Sequence, residues 1–390
     1  MSATDTFTPT PDQKIALDAI VQFPSSGNKL LTIAGFAGTG KSRVTAESIR
    51  IIRSQSAKLR IACMAYTGKA ADVIRRKLAA AGVADEVCYT GTIHGYIFTA
   101  VTDDAGNLIE FVRVPKIDAD LIIIDEASMV NAELWRDLIS YGKPIIAVGD
   151  HGQLPPVQGN FNLMEHPQIK LEKIHRQAEG DAIIHVSMLA RTNGFIPFGR
   201  YSDSVVKVAG NGPLEAMIRA TPNPRDVAWL CGYNKFRVDA NTLMRKIDGA
   251  QTVKPMSGER VICLRNNSDN GLFNGMVGTI DWIGPAGKHA YDARIALDGG
   301  TFYKGKISSA QFGKEQTIKE KIPGSSWEKP VCLFDFATFL TVWKSQGSEF
   351  ERVVLFEQRN SYMTDSDWAK FLYTGVTRAR KELTIVGGSY

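Results

Sequence analysis

The sequence predicts an α/β protein whose parallel, fully buried strands deliver polar residues to one edge of a sheet. Three observations point there. First, the apolar runs at 29–34, 60–65, 121–124 and 144–148 each end in a polar cluster, with helical stretches between them. Strands covered on both faces read as continuous apolar runs, and open sheets of this kind bind ligands at the carboxyl ends of their strands. Second, the first run leads into Gly35-Phe36-Ala37-Gly38-Thr39-Gly40-Lys41-Ser42, which fits G-x-x-x-x-G-K-[ST] without a mismatch. Glycines in such a loop let backbone N–H groups wrap a phosphate, Lys41 can reach the β- and γ-phosphates, and the Ser42 hydroxyl can ligate Mg²⁺. Third, the run at 121–124 ends in Asp125-Glu126, where one carboxylate can hold the metal and its neighbour can act on water. A nucleoside triphosphate such as ATP, with Mg²⁺, is the expected ligand pair.

Length and composition set the frame. A chain of 390 residues has room for two or three domains of about 150 residues each. With 44% apolar and 22% charged residues it has an ordinary globular composition. The net charge of +5 and the isoelectric point near 8.8 permit nucleic-acid binding without demanding it. The cysteines, Cys63, Cys88, Cys231, Cys263 and Cys332, form no C-x-x-C pair. Buried reduced thiols are expected, and structural zinc is not. The N-terminal residues lack the basic start and apolar stretch of a signal peptide, and no run approaches the ~20 apolar residues that span a bilayer. A cytoplasmic protein without a membrane partner is expected.

The chain divides unevenly. Residues 1–94 and 117–180 read as one nucleotide-binding module. It is interrupted at 95–116 by two alternating runs, Tyr96 to Val101 and Leu108 to Val112, around the polar turn Asp103-Asp104-Ala105-Gly106-Asn107. That pattern predicts a β-hairpin. A second α/β module, assigned to 181–256 and 331–390, shows its first clear strand at 227–231, followed by a helix through Leu243. Its pattern resumes at 334–341, with further buried strands at 353–356 and 383–386. Between the halves, 257–330 is rich in short strand-like runs and Gly, Asn and Asp turns, which suits a small β-barrel of the SH3-like kind.

Further candidates flank these motifs. Gln153, in Gly149-Asp150-His151-Gly152-Gln153-Leu154-Pro155-Pro156, follows a buried strand and can report on a γ-phosphate. Arg176 and Arg378 could stabilise the charge that spreads over a transferring phosphoryl group. Thr67, Thr92, His94, Thr341, Ser345 and Gln346 sit at strand ends or in short loops, where they could grip a nucleic-acid backbone or simply cap helices and turns. Phe98 and Trp343 could stack on unpaired bases or pack into the core.

The ordered set GFAGTGKS, AYTGKAA, TIHGY, IIIDEASM, GDHGQLPPV, IHRQ, TVWKSQGSEF and LYTGVTRAR resembles the superfamily 1 DNA helicases of the B subclass, nearest to the RecD family and the Dda-type phage helicases. The likeness runs from about Gln13 to Val386. It implies two RecA-like modules, 1A and 2A, with a strand-splitting pin at 95–116 (1B) and an SH3-like insertion at 257–330 (2B). It implies that Gln13 contacts adenine, and that Gly35, Ala37, Gly38, Thr39, Gly40, Lys41, Ser42, Arg43 and Glu349 line the nucleotide site. By the same likeness Ser42 and Asp125 hold Mg²⁺, Glu126 activates water, Gln153 senses the γ-phosphate, and Arg176 and Arg378 are arginine fingers. Thr67, Thr92, His94, Thr341, Ser345 and Gln346 fall on positions of DNA-backbone contacts, and Phe98 and Trp343 join them as DNA-binding candidates through base stacking. The resemblance further implies 5′ to 3′ travel on single-stranded DNA, activity at fork junctions, action as a monomer, and replication or recombination proteins as partners.

The sequence departs from the family pattern twice. Trp343 stands where the family often has His, and Tyr66 where it usually has Pro. The residues themselves leave open a translocase that strips proteins and unwinds little, a non-hydrolysing clamp, and an RNA motor, since nothing reads a 2′-OH.

Overall fold

In the computed structural model the described residues are 7–102, 108–155, 161–173, 181–267, 270, 272–298, 300–318 and 331–388. The chain divides into two compact units. One comprises Met1–Tyr66, Ala70–Thr99 and Arg113–Ile184; the other comprises Thr67–Lys69, Ala100–Val112 and His185–Tyr390.

The first unit runs α1 (Pro11–Gln22), β1 (Leu30–Gly35), α2 (Lys41–Gln55), β2 (Ile61–Ala65), α3 (Gly68–Ala80), β3 (Tyr89–Thr92) and α4 (Ile93–Ile97). After the inserted strands β4 (Phe98–Thr102) and β5 (Leu108–Arg113), most of whose residues fall in the other unit, come β6 (Leu121–Asp125), α5 (Ala132–Ile139), β7 (Ile145–Gly149) and β8 (Ile169–Leu171); α6 (Ala182–Asn193) begins here and continues into the other unit. Six strands form one sheet in the order β3-β2-β6-β7-β1-β8, and every pairing in it is parallel. The apolar runs are continuous because alternate residues enter different cores. Ile61, Cys63, Leu121, Ile123, Ile33 and Val148 pack on one face with residues of α1, α2 and α3. Ala62, Met64, Ile122, Ile124 and Ala147 pack on the other with residues of α4 and α5. This is the physical origin of the strand signal in the sequence.

Strands β4 and β5 form a separate two-stranded sheet. The expected hairpin is shorter than its sequence pattern suggested. Tyr96 and Ile97 belong to α4, because Thr92 caps that helix by accepting a hydrogen bond from the Gly95 amide. The turn at 103–107 lies outside the described residues.

The second unit runs β9 (Gly199–Arg200), β10 (Val205–Ala209), α7 (Leu214–Ala220), β11 (Ala228–Cys231), α8 (Asn234–Ile247), β12 (Arg260–Cys263), β13 (Val277–Pro285), β14 (Ala290–Leu297) and β15 (Phe302–Ser308). It continues through β16 (Val331–Cys332), β17 (Phe334–Phe336), β18 (Phe339–Thr341), β19 (Phe350–Phe356), α9 (Asp365–Val376) and β20 (Ala379–Gly387). One sheet has the order β18-β11-β19-β20-β10-β9, the other β16-β15-β14-β13-β12-β17. In the second of these sheets, residues from all six strands enter one cluster, including Val261, Ile280, Ile295, Ile307, Cys332 and Phe334, so the sheet curls about its own core.

Within 181–256 the α/β sheet already includes β10, ahead of the strand read at 227–231, since β10 pairs parallel with β20. One boundary differs from expectation. The inserted sheet claims residues assigned to the α/β module: β16 pairs with β15 and β17 with β12. The α/β pattern resumes only at β18. Phe334-Asp335-Phe336 and Phe339-Leu340-Thr341 form one apolar stretch in sequence, and the break between two sheets at Ala337-Thr338 carries no Gly or Pro signal.

Helix α8 fastens the inserted sheet through two arginines on one face. The Arg237 guanidinium donates to Asp335 Oδ2 at 2.8 Å and to the Lys314 carbonyl at 2.7 Å, with both charged side chains at most 1% exposed. Asp335 Oδ1 accepts from the Gly313 and Phe336 amides. Two turns on, Arg245 donates to Glu259 at 2.6 Å and to the Thr252 and Lys254 carbonyls, with its guanidinium 4.1 Å from the Phe336 ring. Removing one partner of such a pair strands a buried charge. Asp335→Ala is therefore expected to destabilise the second unit by about 3–5 kcal/mol in urea unfolding; a loss below about 1 kcal/mol, within the range of exposed pairs, would contradict the clamp.

Candidate functional site

The site is assembled at the carboxyl ends of β1, β6 and β7. Strand β1 ends at Gly35, and the chain turns through Phe36–Gly40 into α2. Gly38 and Gly40 both take φ of +80°, which an L-side chain resists. A Cβ on Gly40 would also stand 2.6 Å from Gln13 Nε2. Helix α2 starts at Lys41 with no side-chain cap at its N-terminus, so its dipole and leading amides favour an anion there. Lys41 Nζ donates to the Gly35 and Phe36 carbonyls at 2.6 and 3.0 Å. Arg43 lies over the Phe7 ring, 5.1 Å from its centroid.

Gln13 clips this loop from behind. Its Oε1 accepts from the Thr10 amide at 3.0 Å, and its Nε2 donates to the Thr39 carbonyl at 2.9 Å, with the residue 1% exposed. Thr39 Oγ1 donates to the Phe36 carbonyl at 2.8 Å. Asp12, next to Gln13, accepts from the Glu172 and Lys173 amides beyond β8, each at 3.0 Å. Burial raises the Asp12 carboxyl, but hydrogen bonds from Thr10, Lys173 and Gln13 more than offset this and hold it below its ordinary value.

Because β7 lies between β1 and β6, Asp125 stands two strand spacings, ~10 Å, from the phosphate loop strand. That is room for a phosphoryl group and a hydrated cation. Asp125 Oδ1 accepts from the Glu126 amide at 2.9 Å. Glu126 itself is held at φ 52°, a left-handed conformation that costs a non-glycine residue of order 1–3 kcal/mol and is over-represented at functional sites. After β7, Phe36 of the phosphate loop lies 4.1 Å from His151, centroid to centroid. Asp150 accepts from the Gly152 amide at 2.9 Å and from Gln153 Nε2 at 3.4 Å. Gln153 Oε1 is buried without a hydrogen-bond partner, a costly state unless a ligand or water supplies the donor. Ser42 and Asp125 line one pocket together with Thr45 and Lys77. A hydroxyl and a carboxylate are the hard oxygen donors that Mg²⁺ takes from a protein, with water and phosphate completing its shell. The residues present therefore fit a magnesium nucleotide.

The remaining candidates divide between the units. In the first, Thr92 is spent as the α4 cap, and His94 is stacked on Phe98 at 5.8 Å. In the second, Thr341 Oγ1 accepts from the Lys344 amide, Ser345 Oγ donates to the Val342 carbonyl, and Gln346 is buried. Trp343 packs on Phe371 at 5.5 Å, so part of its ring serves the core. Glu349 is exposed, 3.7 Å from Arg380. Arg378 is buried and donates to the Thr374 and Ser348 carbonyls and to Thr377 Oγ1. Arg176 lies outside the described residues. Thr67 falls in the short Thr67–Lys69 segment of the second unit.

Sequence reasoning passed over three residues here. Asp150 orients Gln153, and its place directly after an apolar strand was the available signal. Asp12 ties α1 to the residues after β8. Lys344, in TVWKSQGSEF, is lowered to about 8 by burial and by the nearby Arg237 charge, against the pull of Asp335. The described cysteines are all free thiols; Cys88 is exposed and the others are buried. No cluster of His, Cys, Asp or Glu with metal-binding geometry occurs among the described residues, and no described helix is long and apolar enough to cross a membrane.

The fold and loop define a P-loop nucleotide-binding protein of the parallel-sheet kind. An AAA domain family model matches residues 18–159, and a UvrD-like helicase C-terminal domain matches 336–386. The ATP-dependent RecD2 DNA helicase of Deinococcus radiodurans is 25% identical, the match covering 93% of this chain and 48% of that protein. The RecBCD enzyme subunit RecD of Mycobacterium tuberculosis is 24% identical, covering 93% and 67%. Thus the chain spans about half the length of the first relative and two thirds of the second. The Pif1 helicase from Bacteroides, solved in complex with ADP-AlF3 and ssDNA, shares the fold with a TM-score of 0.58 at 18% identity, over 97% of this chain and 92% of that one. By these likenesses the chain resembles helicases of the RecD type in sequence and shares its fold with Pif1.

Gln13→Ala would leave the Thr39 carbonyl and the Thr10 amide without their partner. It is expected to cost about 1–3 kcal/mol in the first unit and to speed amide hydrogen exchange across residues 36–40. Unchanged exchange in that segment would contradict the clip.

Proposed function

We propose that the chain is an ATP-dependent DNA helicase that moves 5′ to 3′ on a single strand and unwinds the duplex ahead of it. The observation that carries this reading is the phosphate loop with Asp125-Glu126 and Gln153 at the ends of three neighbouring parallel strands, where Gln153 keeps a buried acceptor in want of a donor.

In this reading Lys41 exchanges the Gly35 and Phe36 carbonyls for phosphate oxygens, and the α2 N-terminus takes the remaining charge. Glu126 accepts a proton from the attacking water while Gln153 Oε1 accepts its second hydrogen and fixes its direction. The water oxygen bonds to the γ-phosphorus, and the bond to the bridging oxygen breaks with its electron pair leaving on ADP. Mg²⁺, held by Ser42 and Asp125, would neutralise charge on the β- and γ-phosphate oxygens. Arg378 would have to give up its Thr374 and Ser348 carbonyls to serve as an arginine finger, a rearrangement that could couple nucleotide state to the second unit. Arg176 has the same assignment by resemblance.

The nucleic-acid side rests on chemistry that grips a backbone without reading bases. His94 and Phe98 offer a stacked pair beside Thr92, and Trp343 offers a half-buried ring beside Thr341, Ser345 and Gln346. The two-stranded β4–β5 insertion would act as the strand-splitting pin, and the curled six-stranded sheet as the SH3-like insertion. Polarity and the preference for DNA come from the family likeness.

Lys41→Ala should abolish phosphate release from ATP, and retained turnover would refute the active-site assignment. Deleting 103–107 should lose strand displacement on a 5′-tailed fork while single-strand translocation persists. Equal loss of both would count against a pin, and little displacement by the intact chain would favour a translocase that strips proteins.

A further inference from the structure

One charged contact at the nucleotide site has no part in the chemistry above. Lys77 lies in the last turn of α3, and its Nζ donates to Ser42 Oγ at 2.8 Å. Its root is fixed by buried neighbours, since Ile74 and Leu78 belong to the core beneath the sheet. Its long stem carries the ammonium out of that core to the hydroxyl. Lys77, Ser42 and Asp125 line the same pocket. A lysine cation thus stands at the hydroxyl that a divalent cation would take, on the side where Asp125 supplies the second ligand.

We propose that Lys77 is a built-in placeholder for the divalent cation, which orients Ser42 in the metal-free protein and must withdraw when the magnesium nucleotide enters. This rests on the reading of Ser42 as a metal ligand. A serine hydroxyl has two lone pairs and one hydrogen. The ammonium occupies one lone pair, and Mg²⁺ needs its ligand oxygen at about 2.1 Å. With both cations on the two lone pairs of one oxygen they would stand ~4 Å apart, which even in a water-like dielectric costs a monovalent and a divalent ion roughly thirtyfold in affinity. The flexible four-carbon stem lets the ammonium leave without moving α3. Until it leaves, its charge favours a phosphate that arrives without metal. Lys77 therefore narrows the difference between nucleotide binding with and without Mg²⁺.

Titration of a fluorescent ADP analogue, in EDTA and across a Mg²⁺ series, tests this on the full chain. In Lys77→Met, binding in EDTA should weaken, and the gain in affinity from Mg²⁺ should grow severalfold over wild type, up to about thirtyfold. Lys77→Arg should stay near wild type. In a Ser42→Ala background the Lys77→Met effect on the Mg²⁺ gain should vanish. An equal Mg²⁺ gain in wild type and Lys77→Met would overturn the placeholder while leaving Ser42 as a ligand. If Lys77→Met lost nucleotide under every condition with an unchanged melting temperature, the lysine would be a phosphate ligand and the proposal wrong. If Mg²⁺ gave wild type no gain at all while ADP still bound, the metal assignment of Ser42 would itself fail, and this proposal with it.

Discussion

Parallel hydrogen bonding among β1, β7 and β6 fixes the separation of the phosphate loop from the Asp125 carboxylate, and the remaining chemistry is hung on that spacing. Ala34 pairs with Gly149, and Ile124 with Ala147, so three strand ends finish nearly level. The loops beyond them then converge without any strand being strained. The strain that does occur there is local, at Glu126, where a left-handed residue turns the chain sharply after Asp125. Gln13 and Asp12 add a second layer of constraint by tying α1 to the phosphate loop and to the residues after β8. A loop of glycines would otherwise be the most mobile part of the unit.

In the second unit the constraint is electrostatic. Arg237 and Arg245 come from one helix and satisfy carbonyls and carboxylates at the base of the inserted sheet, so α8 and that sheet share their charges. Lys344 lies in the field of Arg237 and Asp335, which joins the TVWKSQGSEF loop to the same network. A buried network of this kind gives little stability in exchange for its desolvation. It does specify how the insertion attaches to the α/β sheet that carries it.

Much of this was legible in the sequence, for physical reasons that also explain the failures. The strands β1, β2, β6 and β7 are covered on both faces and so are written in apolar residues alone. Strands β3 and β8, with Tyr-Thr-Gly-Thr and Ile-Lys-Leu, lie at the sheet's edges and carry no such signal. The Asp335 position looked like part of an α/β strand because local hydrophobicity cannot say which sheet a short run joins. The phosphate loop, Asp125-Glu126 and Gln153 could be singled out because each motif directly follows a buried strand, and the structure puts those strands side by side. The Lys77–Ser42 contact, the Asp150–Gln153 pair and the engagement of Arg378 by its own unit's carbonyls depend on tertiary placement or on side-chain direction. Trp343 was readable as either a stacking or a packing residue, and its contact with Phe371 shows that packing takes at least part of it.

The account stands on ATP hydrolysis being geared to movement along an unpaired strand. Steady-state phosphate release, measured with and without a single-stranded oligonucleotide at saturating ATP and Mg²⁺, probes that gearing most directly. The account predicts a rate that rises steeply as the oligonucleotide is added and then saturates. An identical rate at every oligonucleotide concentration would contradict it.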